Sequence, residues 1–249
     1  MKKINIVITM GGLGSRFRKA GYSMPKFMIE AKGKTLFDWS MLSLEGYRAV
    51  AKKYVFLVKE DTDFDVQQFI KEHCRLLNIS DYDIVLIDHL TDGQATTAML
   101  AKPYIDLDDG MLIYNIDTYV EPGAMNDSDL KGDGFIPCFE GEGDHWSFVR
   151  LDTEGKAVEV REKQRISKYC TLGAYYFRSG FLYEKLYNEY YSVPGNTVNG
   201  EKYVAPLYNY LIQKGGEVYI SNVKKSCVHV LGTPNELEKF INCSIFIKT

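Results

Sequence analysis

Short apolar runs alternate with amphipathic stretches along the first half of this chain, and their spacing predicts a β/α rhythm. Ile4-Asn5-Ile6-Val7-Ile8 reads as a buried strand, because a short, mostly apolar run bounded by turn signals suits a strand covered on both faces. Thr35 to Ala51 carries Leu36, Trp39, Leu42 and Leu44 at helical spacing, and Tyr54-Val55-Phe56-Leu57-Val58 follows as a second strand. Asp65 to Leu77 predicts a helix with Val66, Phe69, Ile70 and Cys74 on one face. A third strand is expected at Asp83 to Ile87, then a helix from Thr96 to Tyr104 and a fourth strand at Met111 to Tyr114. This alternation implies a largely parallel sheet with helices on both faces and ligands at the carboxyl ends of strands.

Beyond Asp117 the texture changes. Phe135 to Phe139, Trp146 to Leu151 and Ala157 to Val160 predict short strands separated by Gly- and Asp-rich turns, a small mixed-sheet insert over the site. Helices are expected over Phe181 to Tyr191 and Tyr203 to Lys214, with a strand at Glu217 to Ile220. Pro234 to Phe246 then reads as a docked amphipathic helix. No repeat or flexible linker interrupts the 249 residues, a length ordinary for one α/β domain, so a single domain over 1–249 is expected.

The first strand runs into Thr9-Met10-Gly11-Gly12-Leu13-Gly14-Ser15-Arg16-Phe17, with Pro25-Lys26 shortly after. Three glycines permit positive φ and close approach of the backbone to an anion, and their N–H groups can cradle phosphates. Arg16, Arg18, Lys19 and Lys26 add full positive charge. Two better-known phosphate loops fail here. Gly12-Leu13-Gly14-Ser15-Arg16-Phe17 ends on Phe17 where the dinucleotide fingerprint needs a small residue, and Gly33-Lys34-Thr35 has Met28 where a P-loop needs glycine.

Composition narrows the partners. Thirty basic and 33 acidic residues give a net charge of −3, which offers no general field for nucleic acid. No apolar run approaches the roughly 20 residues of a membrane span, and Met1-Lys2-Lys3 leads directly into the first strand, so a soluble, cytoplasmic protein is expected. Cys74, Cys138, Cys170, Cys227 and Cys243 are scattered without a zinc pattern and are expected to be reduced. His73, His89, His145 and His229 show no ordered pairing with Ser and Asp and are read as structural.

The opening pattern of strand, G-x-G-[ST]-R-[FL], spacer and P-K resembles the sugar-phosphate nucleotidylyltransferase family, and the resemblance runs from Ile4 to about Pro234. It implies a Rossmann-like three-layer α/β/α nucleotidyltransferase fold with a mostly parallel central sheet. It also implies a Mg²⁺-dependent transfer of NMP from a nucleoside triphosphate to the phosphate of a small molecule, with release of pyrophosphate. By resemblance, Met10, Gly11, Gly12, Gly14, Ser15 and Arg16 hold the triphosphate and Lys26 neutralises the reacting phosphates.

Further segments carry further roles. In Asp92-Gly93-Gln94-Ala95-Thr96-Thr97, the family's nucleoside-lining turn, Gly93, Gln94 and Thr96 are the expected nucleotide contacts. A cap and turn built on Asp92 or Thr96 accounts for that segment equally well. Asn115-Ile116-Asp117 ends the fourth strand, and Asp117 corresponds to the family's magnesium ligand, a hard oxygen donor of the kind this ion prefers. Val160-Arg161-Glu162-Lys163 resembles V-x-E-K-P, so Glu162 is expected to meet the acceptor and Lys163 its phosphate, with Gln164 replacing the usual Pro. Tyr169 to Phe177 resembles N-x-G-x-Y-x-F, placing Thr171, where Asn is usual, and Gly173 beside the acceptor. Arg16, Lys26, Asp117 and Lys163 form the expected catalytic set.

One segment departs from the pattern. The family's D-x-G-T-P, whose Asp ligates metal, is here Val230-Leu231-Gly232-Thr233-Pro234. Either one carboxylate suffices, or another such as Glu201 substitutes, or this end of the site has lost its task.

Met10 to Phe17, Ala20-Gly21-Tyr22, Asp92 to Thr97 and Asn115-Ile116-Asp117-Thr118 are similar to a branch found in capsular polysaccharide gene clusters, the cytidylyltransferases that transfer CMP from CTP to phosphoglutamine for phosphoramidate modification. CTP and a phosphorylated small molecule are therefore the expected partners. A transferase using a sugar 1-phosphate with CTP, UTP or dTTP, and a nucleotide sensor without turnover, stand as the alternatives. Related enzymes are often dimers or larger, which makes a homo-oligomer an expectation as well.

Overall fold

In a computed structural model that describes residues 3–243, the first apolar run becomes β1 (Ile4–Met10), buried along nearly its whole length. A short helix α1 (Ser15–Lys19), the ribbon β2 (Glu30–Ala31) and β3 (Lys34–Thr35), and α2 (Leu36–Leu42) follow. Thr35 starts α2 through a capping box, its hydroxyl accepting from Asp38 N–H while the Asp38 carboxylate accepts from Thr35 N–H. The helix is shorter than its spacing predicts. Ser43 Oγ donates to Trp39 O at 3.1 Å and accepts the N–H of Val120 at 2.9 Å, so a distant strand takes over where the helix would continue.

The chain then forms β4 (Ala51–Lys59), α3 (Val66–Leu76), β5 (Tyr82–Ile87), α4 (Gln94–Met99), β6 (Gly110–Asn115) and β7 (Thr118–Val120). β5, β4, β1 and β6 lie side by side in that order, all parallel. Helix α4 begins before the expected Thr96 and ends at Met99; the remainder to Tyr104 is a 3₁₀ turn containing Pro103, which cannot supply an α-helical N–H.

After Asp117 come β8 (Gly134–Glu140), β9 (Ser147–Leu151), β10 (Ala157–Glu162), β11 (Tyr169–Thr171) and β12 (Ala174–Phe177). The helices α5 (Gly180–Tyr191) and α6 (Ala205–Gln213), β13 (Val218–Val223), β14 (Val228–Val230) and α7 (Pro234–Asn242) complete the described chain. The helix expected over 234–246 is thus seen to Asn242, and its last expected residues lie outside those described. The mixed strands do not stand apart from the main sheet. Antiparallel pairing of β12 with β6, from Ala174 opposite Tyr114 to Phe177 opposite Met111, joins them to it, giving one ten-stranded sheet.

Alternation along the strands feeds two cores. Ile4, Ile6, Ile8, Phe56 and Val58 pack with Phe37, Met41, Ile70 and Cys74 from α2 and α3. Val7, Val55, Leu57 and Ile113 point the other way, into Ala95, Ala98, Tyr183, Leu207 and Tyr208 from α4, α5 and α6. This is the three-layer α/β/α arrangement. A third cluster, with Phe17, Leu36, Trp39, Tyr119, Leu237 and Phe240, docks α1 and α7 beside the ends of β1 and β6. Among the described residues no helix is long and apolar enough to cross a membrane.

Candidate active site

The loops leaving the carboxyl ends of β1, β5 and β6 open into a cleft of about 660 Å³ whose far wall comes from the antiparallel half of the sheet. Met10, Gly11, Gly12, Gly14, Ser15, Arg16, Lys26, Gly93, Gln94 and Asp117 line one end. Glu162, Thr171 and Gly173 line the wall, so most of the expected residues share one space.

Gly14 takes a left-handed φ of 59°, and its carbonyl accepts from the N–H of Phe17 and of Arg18 at 2.9 and 3.1 Å, turning the strand into α1. No atom lies near where a Gly12 side chain would begin, so that stretch of backbone stays uncovered toward the cleft. Phe17 is buried and anchors the turn, whereas Arg16 is exposed at the cleft. Arg18 pairs with Asp61 at 3.2 Å and bonds Leu13 O at 3.3 Å, so its charge braces the loop.

Lys26 follows Pro25 in a 3₁₀ turn and brings Nζ to 3.6 Å from Asp117 Oδ2. Its side chain is only 15% exposed. Burial pushes the ammonium pKa below the usual lysine range, Asp117 opposes the shift and Arg16 adds to it. Asp117 itself is about one-third exposed and sits between β6 and β7, its carbonyl accepting the N–H of Leu231 at 2.7 Å. A carboxylate on the strand end, lining the cleft with Lys26 and the glycine loop, is a hard oxygen donor that fits one ligand of Mg²⁺, which commonly takes one or two carboxylates with phosphate oxygens and water. Among the described residues no group of three or more His, Cys, Asp or Glu is placed to hold a metal ion.

Gly93 starts α4 with φ 140°, and a Cβ there would stand 2.4 Å from Lys202 O. The close approach is used: Ala95 N–H donates to Lys202 O at 3.0 Å and Lys202 N–H to Asp92 O at 2.8 Å. Gln94 Nε2 bonds Thr9 Oγ1 at 3.2 Å and Asn115 Oδ1, which holds the amide on the cleft floor. Thr96, expected as a nucleotide contact, turns its hydroxyl to Asp92 and to Tyr187 OH, because its helical position faces α5; Thr97 lines the cleft instead.

On the far wall the Glu162 carboxylate accepts from Ser147 Oγ, and burial raises its pKa above the ordinary range. Lys163 stands at the rim, exposed, with φ 53°; its ammonium donates to Tyr203 OH at 2.6 Å. Tyr203 is the cleft-lining partner of that pair. Thr171 Oγ1 and Tyr175 OH lie 3.0 Å apart, both buried. Gly173, with φ 74°, leaves room for the side chain of Asn115, whose Nδ2 would be 2.7 Å from a Cβ there. Its lack of a side chain thus makes room for Asn115, and Gly173 itself lines the cleft.

Val230 ends β14 opposite Thr118 and lines the cleft beside Asp117. Glu201, one expected substitute for the carboxylate lacking there, lies on the far wall near Glu162, Lys163 and Tyr203. Sequence reasoning missed Ser147, Tyr175, Tyr203 and Glu236 as lining residues. Of the histidines, His73, His89 and His229 contact Asp38, Asp88 and Glu121, while His145 lines the cleft with its ring 4.4 Å from that of Trp146. All five cysteines are free.

No protein-family model and no curated protein matches the sequence. Solved structures do. The inositol-1-phosphate CTP transferase from T. maritima superposes with a TM-score of 0.73 over 94% of this chain and 91% of that one, at 16% identity, a likeness of fold. The nucleoside-diphosphate-sugar pyrophosphorylase from Vibrio cholerae RC9 superposes with a TM-score of 0.87 and is 36% identical, over 96% of this chain and 100% of that one. Identity at that level along the whole of both molecules shows that the chain belongs to the sugar-phosphate nucleotidylyltransferase family, with the nucleoside-diphosphate-sugar pyrophosphorylases.

Proposed function

We propose that this protein transfers a nucleotidyl group from a nucleoside triphosphate, CTP by preference, to the phosphate of a small acceptor, releasing pyrophosphate. One observation carries the reading: the glycine loop with Arg16 and Lys26, the strand-end Asp117, and the wall bearing Glu162 all face one cleft. A phosphate oxygen of the acceptor attacks the α-phosphorus, a new P–O bond forms, and the bond to pyrophosphate breaks. No covalent protein nucleophile is needed. The protein's task is to hold two mutually repelling anions in line and to stabilise the charge that develops on the leaving group.

The glycine loop and Arg16 bind the triphosphate, Lys26 places a nearly buried positive charge beside it, and Lys163 with Tyr203 meets the acceptor phosphate at the rim. Asp117 would hold Mg²⁺, which would supply charge neutralisation at the reacting phosphates. Gly93 and Gln94 form the nucleoside side of the cleft.

For the acceptor we propose phosphoglutamine, giving a CDP-linked product for capsule modification. Glu162 and Glu201 on the acceptor side support an acceptor that carries an ammonium group as well as its phosphate. A sugar 1-phosphate is the second reading, favoured by the 36% identity to a protein described as a nucleoside-diphosphate-sugar pyrophosphorylase.

Pyrophosphate release with Mg²⁺ tests both, with CTP, UTP, dTTP, ATP and GTP each paired with phosphoglutamine or a panel of sugar 1-phosphates. Release confined to CTP plus phosphoglutamine supports the first reading, and release with a sugar phosphate the second. Silence from every pair while a triphosphate still binds moves the protein to a nucleotide sensor.

A further inference from the structure

We infer that Glu236 is a second carboxylate ligand, beside Asp117, for the divalent cation that accompanies the triphosphate. The inference rests on the nucleotidyl-transfer reading above.

Helix α7 opens with Thr233-Pro234-Asn235-Glu236, the spacing of a capping box. Only half of the box forms. Thr233 Oγ1 accepts the N–H of Glu236 at 3.2 Å, as Thr35 does for Asp38 in α2. In α2 the Asp38 carboxylate closes the box on Thr35, whereas the Glu236 carboxylate turns to Gly232 and lines the cleft.

Gly232 marks the meeting point. A Cβ on it would lie 3.3 Å from Glu236 Oε2 and 3.5 Å from Asp117 Oδ2, so the two carboxylates converge on the same side of Gly232. Leu231 N–H donates to Asp117 O at 2.7 Å, which fixes the approach of this segment to the end of β6. The Lys26 ammonium feels both carboxylates and lies 3.6 Å from that of Asp117. Two carboxylates brought to one point repel each other, and a divalent cation relieves that repulsion while using their hard oxygens. Of the other residues lining the cleft, Val230 has no donor, Asp61 and Asp92 are paired with Arg18 and Lys202, Glu162 is bonded to Ser147, and Glu201 lies with Tyr203.

The test measures metal binding directly. Mn²⁺ is titrated into the full-length protein saturated with the non-reacting analogue α,β-methylene-CTP, and water-proton relaxation reports the bound ion. Glu236→Gln is expected to weaken Mn²⁺ binding at least about tenfold, as loss of a contributing metal contact does. Asp117→Asn is expected to weaken it further. Glu236→Asp keeps the negative charge at the start of α7 but withdraws the oxygens, and it too is expected to lose Mn²⁺ affinity. Thermal melting confirms that each variant is folded. Wild-type affinity in Glu236→Asp and Glu236→Gln, with a loss in Asp117→Asn, overturns this inference and leaves Glu236 as a helix-start charge. No Mn²⁺ binding by the wild-type complex overturns both the inference and the functional reading beneath it.

Discussion

The ammonium of Lys26 lies 3.6 Å from the carboxylate of Asp117, joining the turn after Pro25 to the end of β6 across the floor of the cleft. Each residue has a second partner in prospect, phosphate for the lysine and metal for the aspartate. Asp117→Asn is therefore expected to lower Mg²⁺-dependent pyrophosphate release by at least about a hundredfold, the scale of losing one strong transition-state contact. A near-normal rate in that variant removes Asp117 from the metal site.

Lys163 touches the cleft through Tyr203, whose hydroxyl accepts from its ammonium at 2.6 Å. Lys163→Ala is expected to raise KM for the acceptor about tenfold or more, in line with a lost charge-assisted contact, while changing KM for the triphosphate little. Tyr203→Phe is expected to move the same constant in the same direction by less. Equal changes for both substrates move Lys163 to the nucleotide side.

Glu162 carries a pH signature. Burial raises its folded-state pKa above the 4.5 of an ordinary glutamate, with Glu201 adding to the shift and the Ser147 hydrogen bond and Lys163 opposing it. Between 4.5 and the raised value the folded protein holds more protons at this site than the unfolded chain does. Its contribution to stability is thus present below pH 4.5 and is lost as pH rises through the folded pKa. Glu162→Gln does not titrate, so its thermal midpoint relative to wild type is expected to rise between pH 4.5 and pH 7.5. Melting curves across that range check it, and a constant difference counts against the assignment.

Gly93 packs its α-carbon against the main chain of Lys202, with 2.4 Å available where a Cβ would need ordinary contact distance, and holds φ at 140°. Gly93→Ala is expected to cost about 1–3 kcal/mol, the range for forcing a side chain onto a strained backbone position. Because Lys202 lies between Glu201 and Tyr203, KM should rise for both substrates. Denaturant unfolding and steady-state kinetics on the same variant measure the two effects.

Much of this was legible in the chain because it depends on local pattern. The strands β1, β4, β5 and β6 are apolar runs, and the loops that leave β1, β5 and β6 carry Gly12, Gly93 and Asp117 into one cleft. What escaped depends on distant contacts. β11 and β12 are three and four residues long and separated by a glycine turn, too short to show a period of their own. Helix α2 stops at Leu42 because Ser43 meets Val120, a residue 77 positions away. Thr96 and Thr97 are indistinguishable in composition, and only the docking of α5 decides which faces Tyr187. Glu236 was hidden by a spacing that equally describes a helix cap, and only the geometry at Gly232 shows where its carboxylate goes.

The seam between β6 and β12 divides the labour of the molecule as well as its sheet. The parallel side carries the glycine loop, Gln94 and Asp117, while the antiparallel side carries Ser147, Glu162, Thr171 and Tyr175. Under the proposed function, substitutions on the second wall redraw the choice of acceptor while the strand register beneath the glycine loop stays in place. On that reading one sheet keeps donor and acceptor recognition on separate strands, so that either can change without re-registering the other.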